Sequence, residues 1–199
     1  MRSLATGKYW RQNSSSWERC EQLTVGSVFV MNRHGTAIRE FPSELEIVTT
    51  RKFEAPISMV FDALTKPELV SQWWATGEDT MTLSEIDLRE GGEFHNIFAT
   101  PTGVECSFRG RYLEIDAPHR LVNTWLFEGW PNAWATETHD LSETDGVTTL
   151  SMTTRFHDRE GRAKMTRAHD AAKERNDKKG QDASWDALED LLTSMVGNI

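Results

Sequence analysis

Cysteine is scarce in this sequence, with only Cys20 and Cys106 among 199 residues. Two cysteines without a Cys-x-x-Cys spacing are too few for a disulfide scaffold and fit a reducing compartment. The sequence therefore predicts two structurally inert cysteines and a cytoplasmic protein.

Long apolar runs are also missing. Residues 23–31 form a short run that Gly26 and Ser27 interrupt, whereas a membrane-spanning helix needs about 18 apolar residues. The N-terminus carries Arg2 and Lys8 but has neither the contiguous apolar stretch nor the small-residue cleavage site of a secretory signal. We therefore predict no membrane partner and no export.

An excess of positive charge is absent, because the formal net charge is -9 and the pI is about 5.2. Such a chain repels a polyanion like DNA unless a basic face is segregated, and no basic face stands out in the sequence. Nucleic acid is not predicted as a partner.

Motifs for several kinds of chemistry are missing as well. The chain has no Gly-x-Ser-x-Gly nucleophile motif, no phosphate-binding Gly-x-x-x-x-Gly-Lys-[Ser/Thr] loop and no dinucleotide-binding Gly-x-Gly-x-x-Gly loop. Its six histidines include no His-x-x-x-His pair, so no preformed zinc site is predicted. We assign no metal, no cofactor and no catalytic residue.

What is present is an ordinary globular composition, with 38% hydrophobic and 27% charged residues, enough for one core. Residues 1–33 contain the run Asn13-Ser14-Ser15-Ser16 and lack a sustained period. They predict an N-terminal extension that is poorly ordered or weakly docked. Residues 34–197 predict a single domain.

Two short helices are predicted after an early strand. Residues 45–53 are rich in β-branched side chains and predict a strand. Pro56 then opens an amphipathic helix, whose apolar positions are Ile57, Val60, Phe61 and Leu64. Beyond Pro67, residues 68–74 predict a second short helix.

The rest of the chain predicts a strand meander followed by helix. About six short runs between Met81 and Phe156, separated by Gly, Pro and Asp turn signals, predict antiparallel strands. The charged residues 159–179 predict a solvated helix or helical loop. An apolar stripe over residues 183–196 predicts a terminal helix with Asp182 or Ser184 as its N-cap.

Several motifs occur in a familiar order: Phe53-Glu54-Ala55-Pro56 into Val60-Phe61, Leu64-Thr65-Lys66-Pro67-Glu68, Trp73-Trp74, Gly91-Gly92, Phe108-Arg109-Gly110 and Pro118-His119-Arg120-Leu121. They resemble the START-like (SRPBCC) superfamily and, within it, the activator of heat-shock protein 90 ATPase homologue-like family. Residues 185–192 fit its last helix. The resemblance implies an α+β helix-grip fold: a curved antiparallel sheet wrapped around a long C-terminal helix, two short helices after the first strand, and an internal cavity.

Three polar side chains would point into that cavity by strand alternation: Asn123, Glu137 and His139. Glu137 and His139 share a face with Leu141, which matches an apolar family position that points inward. In an apolar pocket they would form a polar hook or an acid-base pair with perturbed pKa values. The competing interpretation is a surface or satisfied core position, since a one-residue register error turns both side chains to solvent.

Aromatic residues form the second candidate group, because the chain contains eight tryptophans. Large rings can line an apolar pocket while an indole N–H binds a polar ligand atom, although core packing is the alternative. The predicted ligand-binding residues are Trp73, Trp74, Phe94, Phe98, Tyr112, Asn123, Trp125, Phe127, Glu137, His139 and Met152.

The leading functional hypothesis is binding of a hydrophobic or amphipathic small molecule, without a cofactor, by a monomer or homodimer. Two alternatives stay open: a polyketide cyclase or dehydratase-like enzyme that uses Glu137 or His139, and a stress-related co-chaperone-like interaction protein, to which only the family name points. Binding is favoured over catalysis, because a fold alone does not establish an activity.

Overall fold

The computed structural model describes residues 37–75, 77–130, 132–174 and 181–197. The predicted N-terminal extension, residues 1–33, lies outside them. In chain order the elements are β1 (Ile38–Glu40), β2 (Glu46–Phe53), α1 (Ile57–Thr65), α2 (Pro67–Trp73), β3 (Thr80–Ile86), β4 (Glu93–Ala99), β5 (Glu105–Asp116), β6 (Arg120–Phe127), β7 (Trp134–Thr144), β8 (Val147–Phe156), α3 (Arg159–Glu174) and α4 (Gln181–Val196).

The eight strands form one antiparallel sheet in the order β1-β2-β8-β7-β6-β5-β4-β3. The predicted meander is confirmed by the consecutive pairing of β3 to β8, and β2 extends the sheet by pairing with β8. The α+β helix-grip fold is therefore confirmed. One detail differs: the short strand β1 precedes β2, so the two short helices follow the second strand.

Strand alternation separates an inner face of the sheet from an outer one. On β6, Leu121, Asn123, Trp125 and Phe127 are buried, and on β8 Leu150, Met152 and Thr154 are buried. Their neighbours Thr124, Leu126, Ser151 and Thr153 are only partly buried. The inner face is the one that packs against the helices, since it carries the hydrophobic core.

Helix α1 begins after Pro56, whose missing N–H costs nothing in the first turn. It buries Val60, Phe61 and Ala63 and packs against β7 and β8. Helix α2 has Pro67 at its first position and packs against β3 and α4. These two helices close one end of the inner face.

Helix α4 buries Trp185, Leu188 and Leu192 along one stripe, as the sequence predicted. The predicted N-cap is wrong, because the helix begins at Gln181 and both candidates lie inside its first turns. Partners on other elements engage these side chains instead. Arg39 Nη2 on β1 lies 2.7 Å from Asp182 Oδ1, and the Ser184 hydroxyl donates to the Trp74 carbonyl at 3.1 Å.

A buried ion cluster fastens α4 to the sheet. The Arg51 side chain on β2 is 3% exposed, and its Nη2 lies 2.6 Å from Asp186 Oδ1 and 2.5 Å from Glu189 Oε2. Removing either partner from such a buried group leaves an uncompensated charge, which is strongly destabilising. The cluster therefore holds the C-terminal helix over the inner face of β2.

Cys106 on β5 is completely buried. Cys20 lies outside the described residues.

Candidate ligand-binding site

Polar side chains form a row across three central strands on the inner face. Strand register pairs Asn123 on β6 with Glu137 on β7, and Glu137 with Thr154 on β8. Asn123 and Thr154 are buried, whereas 15% of the Glu137 side chain stays accessible. His139, one step along β7 on the same face, keeps 10% of its side chain accessible. We call these four residues the polar cluster.

Burial decides the charge state of Glu137. Desolvation raises the pKa of its carboxyl to about 7, because an apolar environment disfavours the charged form. Hydrogen bonds from Thr154 and Asn123 act in the opposite direction. The Thr154 hydroxyl donates to Glu137 Oε1 at 3.3 Å. Near neutral pH a large fraction of this carboxyl is therefore protonated and uncharged.

His139 is uncharged for the same physical reason. Desolvation lowers the pKa of its imidazole to about 4, and the nearby charge of Asp140 opposes that shift only partly. Its Nε2 lies 3.8 Å from Glu137 Oε2, a distance that would fit an ion pair. Both pKa shifts favour the neutral forms, however, and 3.8 Å is too long for a hydrogen bond. We therefore describe the two side chains as a neutral pair.

Two buried polar atoms flank Met152 without a hydrogen-bond partner in the described part of the chain. Register places Met152 between Thr49 on β2 and His139 on β7. Thr49 is 2% exposed and its Oγ1 has no partner, and His139 Nδ1 has none either. Because buried polar atoms are nearly always hydrogen-bonded, two orphaned atoms in one row require an explanation.

At the helix-covered end of the sheet the inner face is aromatic. Phe108 on β5 lies at the centre, with its ring centroid 5.0 Å from that of Phe127, 5.8 Å from those of Phe98 and Trp125, and 5.9 Å from that of Trp74. Phe127 in turn meets Trp130 edge-on at 5.3 Å. We call these six residues the aromatic cluster. Ring contacts at these distances are those of a packed core.

The predicted Trp73 has a structural role in this arrangement. Its indole N–H donates to the Ala63 carbonyl at 2.9 Å, and its ring stacks on Trp185 of α4 at 5.8 Å and on Trp74 at 5.9 Å. Its polar atom is thus satisfied within the protein. Trp73 joins α1, α2 and α4 to one another.

Phe94 and Tyr112 form a separate pair beyond the polar cluster. Their ring centroids are 5.8 Å apart, and both side chains are buried. A Cβ at Gly110 would stand 2.4 Å from the Phe94 ring and 1.9 Å from the Thr124 carbonyl, so only glycine allows this packing. Tyr112 pairs with Asn123 in the register, and burial raises the pKa of its phenol.

The structure thus sorts the eleven predicted residues into groups. Asn123, Glu137 and His139 meet in the polar cluster with Met152 beside them, and Trp74, Phe98, Trp125 and Phe127 meet in the aromatic cluster. Sequence reasoning missed Thr49, Thr154 and Phe108. Strand alternation was the available signal, because these residues share faces with Ile47, Met152 and Tyr112 respectively.

The outer face of the sheet carries a groove. A groove of about 760 Å³ runs over β3 to β7 and is lined by Glu85, Ile86, Asp87, Glu93, Phe94, His95, Arg109, Gly110, Arg111, Thr124, Leu126 and Trp134. Its arginines are engaged in ion pairs, since Arg109 contacts Glu128 and Arg111 contacts Glu93 at 2.6 Å each. This groove lies on the side of the sheet opposite the polar cluster.

An eight-stranded antiparallel sheet, a C-terminal helix fastened to its inner face and a polar cluster within that face define a helix-grip protein of the START-like superfamily. The family model described as Activator of Hsp90 ATPase homolog 1-like protein matches residues 54–196. The chain belongs to this family.

Solved structures share this fold. A crystal structure of a protein from Rhodobacter sphaeroides is 22% identical and superposes with a TM-score of 0.68, covering 79% of this chain and 99% of the other. A solution structure from Staphylococcus epidermidis is 26% identical, with a TM-score of 0.63 over 78% and 93% of the two chains. An AHSA1-like protein from Aeromonas hydrophila is 19% identical, with a TM-score of 0.55 over 75% and 94%. The comparison with curated proteins found no match.

In residues 37–75, 77–130, 132–174 and 181–197, no group of three or more His, Cys, Asp and Glu side chains is arranged to hold a metal ion. Within the same ranges, no helix combines the length and apolar character needed to cross a membrane.

Proposed function

We propose that this protein binds a hydrophobic or amphipathic small molecule between the inner face of the sheet and helix α4. The observation that carries the proposal is the polar cluster. The surroundings of Glu137 and His139 favour their uncharged forms, and the two side chains keep 15% and 10% of their surfaces accessible. Ligand sites commonly combine apolar walls with a few such polar groups.

The apolar part of the ligand would lie against the side chains that border the polar cluster. Met152 lies between His139 and Thr49, and Trp125 follows Asn123 on the inner face of β6. A thioether and an indole ring both adapt well to apolar ligands. Shape selectivity would come from this border, and orientation from the polar cluster.

Native mass spectrometry of the purified protein, followed by denaturing extraction, tests the proposal. We expect a small-molecule adduct, and its extract would identify the ligand class. If no adduct is present, a thermal-shift screen of apolar compounds follows, since a ligand that binds only the folded state raises Tm. An empty spectrum together with no stabilising compound would contradict binding.

One observation favours an enzyme of the polyketide cyclase or dehydratase type as a second candidate. Glu137 and His139 lie 3.8 Å apart, and the pKa of the carboxyl is raised to about 7, which suits general acid-base catalysis near neutral pH. Incubation with a polyketide-like poly-β-keto ester would give a product reduced in mass by one water if the protein catalyses cyclising dehydration. Unchanged substrate mass would leave binding as the function.

A further inference from the structure

The polar cluster contains no arginine or lysine. Among the residues that the structure describes, Arg51 is the only buried arginine or lysine. Its guanidinium is already matched by Asp186 and Glu189. An anionic ligand end placed beside Glu137 would therefore be buried without a counter-charge, which is costly.

Uncharged hydrogen-bonding atoms, in contrast, are available in the same place. Thr49 Oγ1 and His139 Nδ1 lie on either side of Met152 and have no partner among the described residues. Both residues are more than nine-tenths buried. A hydroxyl donates and accepts, and a neutral imidazole offers one donor and one acceptor. A ligand oxygen that fills either role removes the cost of an orphaned atom.

We propose that the site selects an apolar molecule whose polar end is an uncharged oxygen, a hydroxyl or a carbonyl, hydrogen-bonded by His139 or Thr49, and that it excludes the matching carboxylate. This inference rests on the proposed function and adds the chemical class of the ligand. The pKa shifts of Glu137 and His139 support it, because at pH 6 both groups are mostly neutral and present no charge that would attract an ion.

Competition against Nile red, an uncharged fluorescent probe of apolar sites, tests the inference with three matched molecules. These are decan-1-ol, decanoate at pH 6, where Glu137 is mostly protonated and the ligand carboxylate is mostly ionised, and undecane, which has no polar end. We expect decan-1-ol to displace the dye about tenfold more tightly than either of the others. A purely apolar cavity would bind undecane at least as well as the alcohol.

Variants then locate the anchoring atoms. Thr49→Val is nearly isosteric and His139→Leu removes the imidazole, and we expect at least one of them to bring the alcohol within about threefold of undecane while Nile red still binds. Thr153→Val is the matched control, since Thr153 lies on the outer face of β8. It should keep the full preference. If His139→Leu does not fold, His139→Phe, which keeps a ring of similar shape without its nitrogens, takes its place.

The outcomes separate the two proposals. If neither the dye nor any competitor binds, the proposed function itself fails. If the dye binds but decanoate or undecane competes as well as the alcohol, binding stands and the inference is overturned. A preference that survives in both variants also overturns it, because the anchoring atoms would then be others.

Discussion

The aromatic cluster and the polar cluster, both on the inner face of the sheet, are packed differently. In the aromatic cluster, Phe108 is enclosed by four rings at centroid distances of 5.0 to 5.9 Å. In the polar cluster, Glu137 and His139 keep accessible surface, and His139 Nδ1 has no partner in the described part of the chain. The first arrangement maximises contact, whereas the second leaves hydrogen-bonding capacity unused.

Under the proposed function, this difference separates the residues that stabilise the fold from those that would bind the ligand. Closely packed rings contribute dispersion and apolar burial, and any change in volume there is destabilising. Unsatisfied buried polar groups cost free energy in the unliganded protein. A ligand that completes the missing hydrogen bonds removes this cost, and the free energy released favours binding. Five predictions test this difference, four at the two clusters and one at the ion cluster of Arg51 for comparison.

The largest effect is expected from Phe108→Ala in the aromatic cluster. The change removes the ring at its centre, and we expect the free energy of unfolding to fall by about 4 kcal/mol through lost contacts and a residual cavity. Urea denaturation measures it. Trp134→Ala is the control, because Trp134 is 51% exposed and should change stability by about 0.5 kcal/mol or less. Equal effects would contradict the packed core.

The next effect concerns the ion cluster that holds α4 over β2. Arg51→Ala leaves Asp186 and Glu189 close together without their cation. We expect a loss of about 3 kcal/mol and faster hydrogen exchange in α4. Arg120→Ala is the control, since this arginine is 38% exposed and pairs with Glu114 and Asp140 at the surface. It should cost less than about 1 kcal/mol.

A pH-dependent effect is expected in the polar cluster. The folded-state pKa of Glu137 is raised from 4.5 to about 7, so its contribution to stability is fully present below pH 4.5 and is lost as the pH rises through 7. Glu137→Gln removes this loss. The variant should therefore gain about 2 kcal/mol relative to the wild type between pH 4.5 and pH 7, as measured by urea denaturation at each pH.

His139→Asn provides the counterpart with the opposite sign. The folded-state pKa of His139 is lowered from 6.5 to about 4, so its contribution is fully present above pH 6.5 and is lost as the pH falls toward 4. The variant should gain stability relative to the wild type as the pH falls. Parallel pH profiles for both variants and the wild type would show that neither group is desolvated.

The smallest effect is expected from Thr154→Val. The hydroxyl of Thr154 donates to Glu137 Oε1 and favours the charged carboxyl. Its loss should raise the pKa of Glu137 further, with a stability change of about 1 kcal/mol or less. Carbon-13 NMR titration of the glutamate carboxyls follows the pKa directly. A pKa that falls in Thr154→Val, or that moves equally in Thr153→Val, would contradict this hydrogen bond.

The sequence predicts which side chains of one strand share a face, but it does not predict which strands lie next to each other. Alternation placed Asn123 on the face of Leu121 and Trp125, and Glu137 and His139 on the face of Leu141, and burial confirms both placements. Thr154, a member of the polar cluster, and Thr49, which lies beside it across Met152, were not predicted. They reach the cluster because β8 pairs with both β7 and β2, and β2 is separated from β8 by about half of the chain.

For the aromatic residues, the sequence could not decide between two roles. Their number indicated either a lined pocket or a packed core, and composition alone could not choose between them. Ring distances show that Phe108 and its neighbours pack against one another, and the indole N–H of Trp73 is satisfied by the Ala63 carbonyl. The predicted ligand contacts of these rings stay a prediction.

By itself the sequence determined the kinds of element and the face on which each side chain lies, because helical and strand periods depend on local geometry alone. Only the tertiary structure decided which faces meet. It brought Arg51 to Asp186 and Glu189, and it enclosed Glu137 and His139 so that both pKa values moved toward the neutral forms. Desolvation depends on everything that surrounds a group, so no local pattern in the chain encodes it.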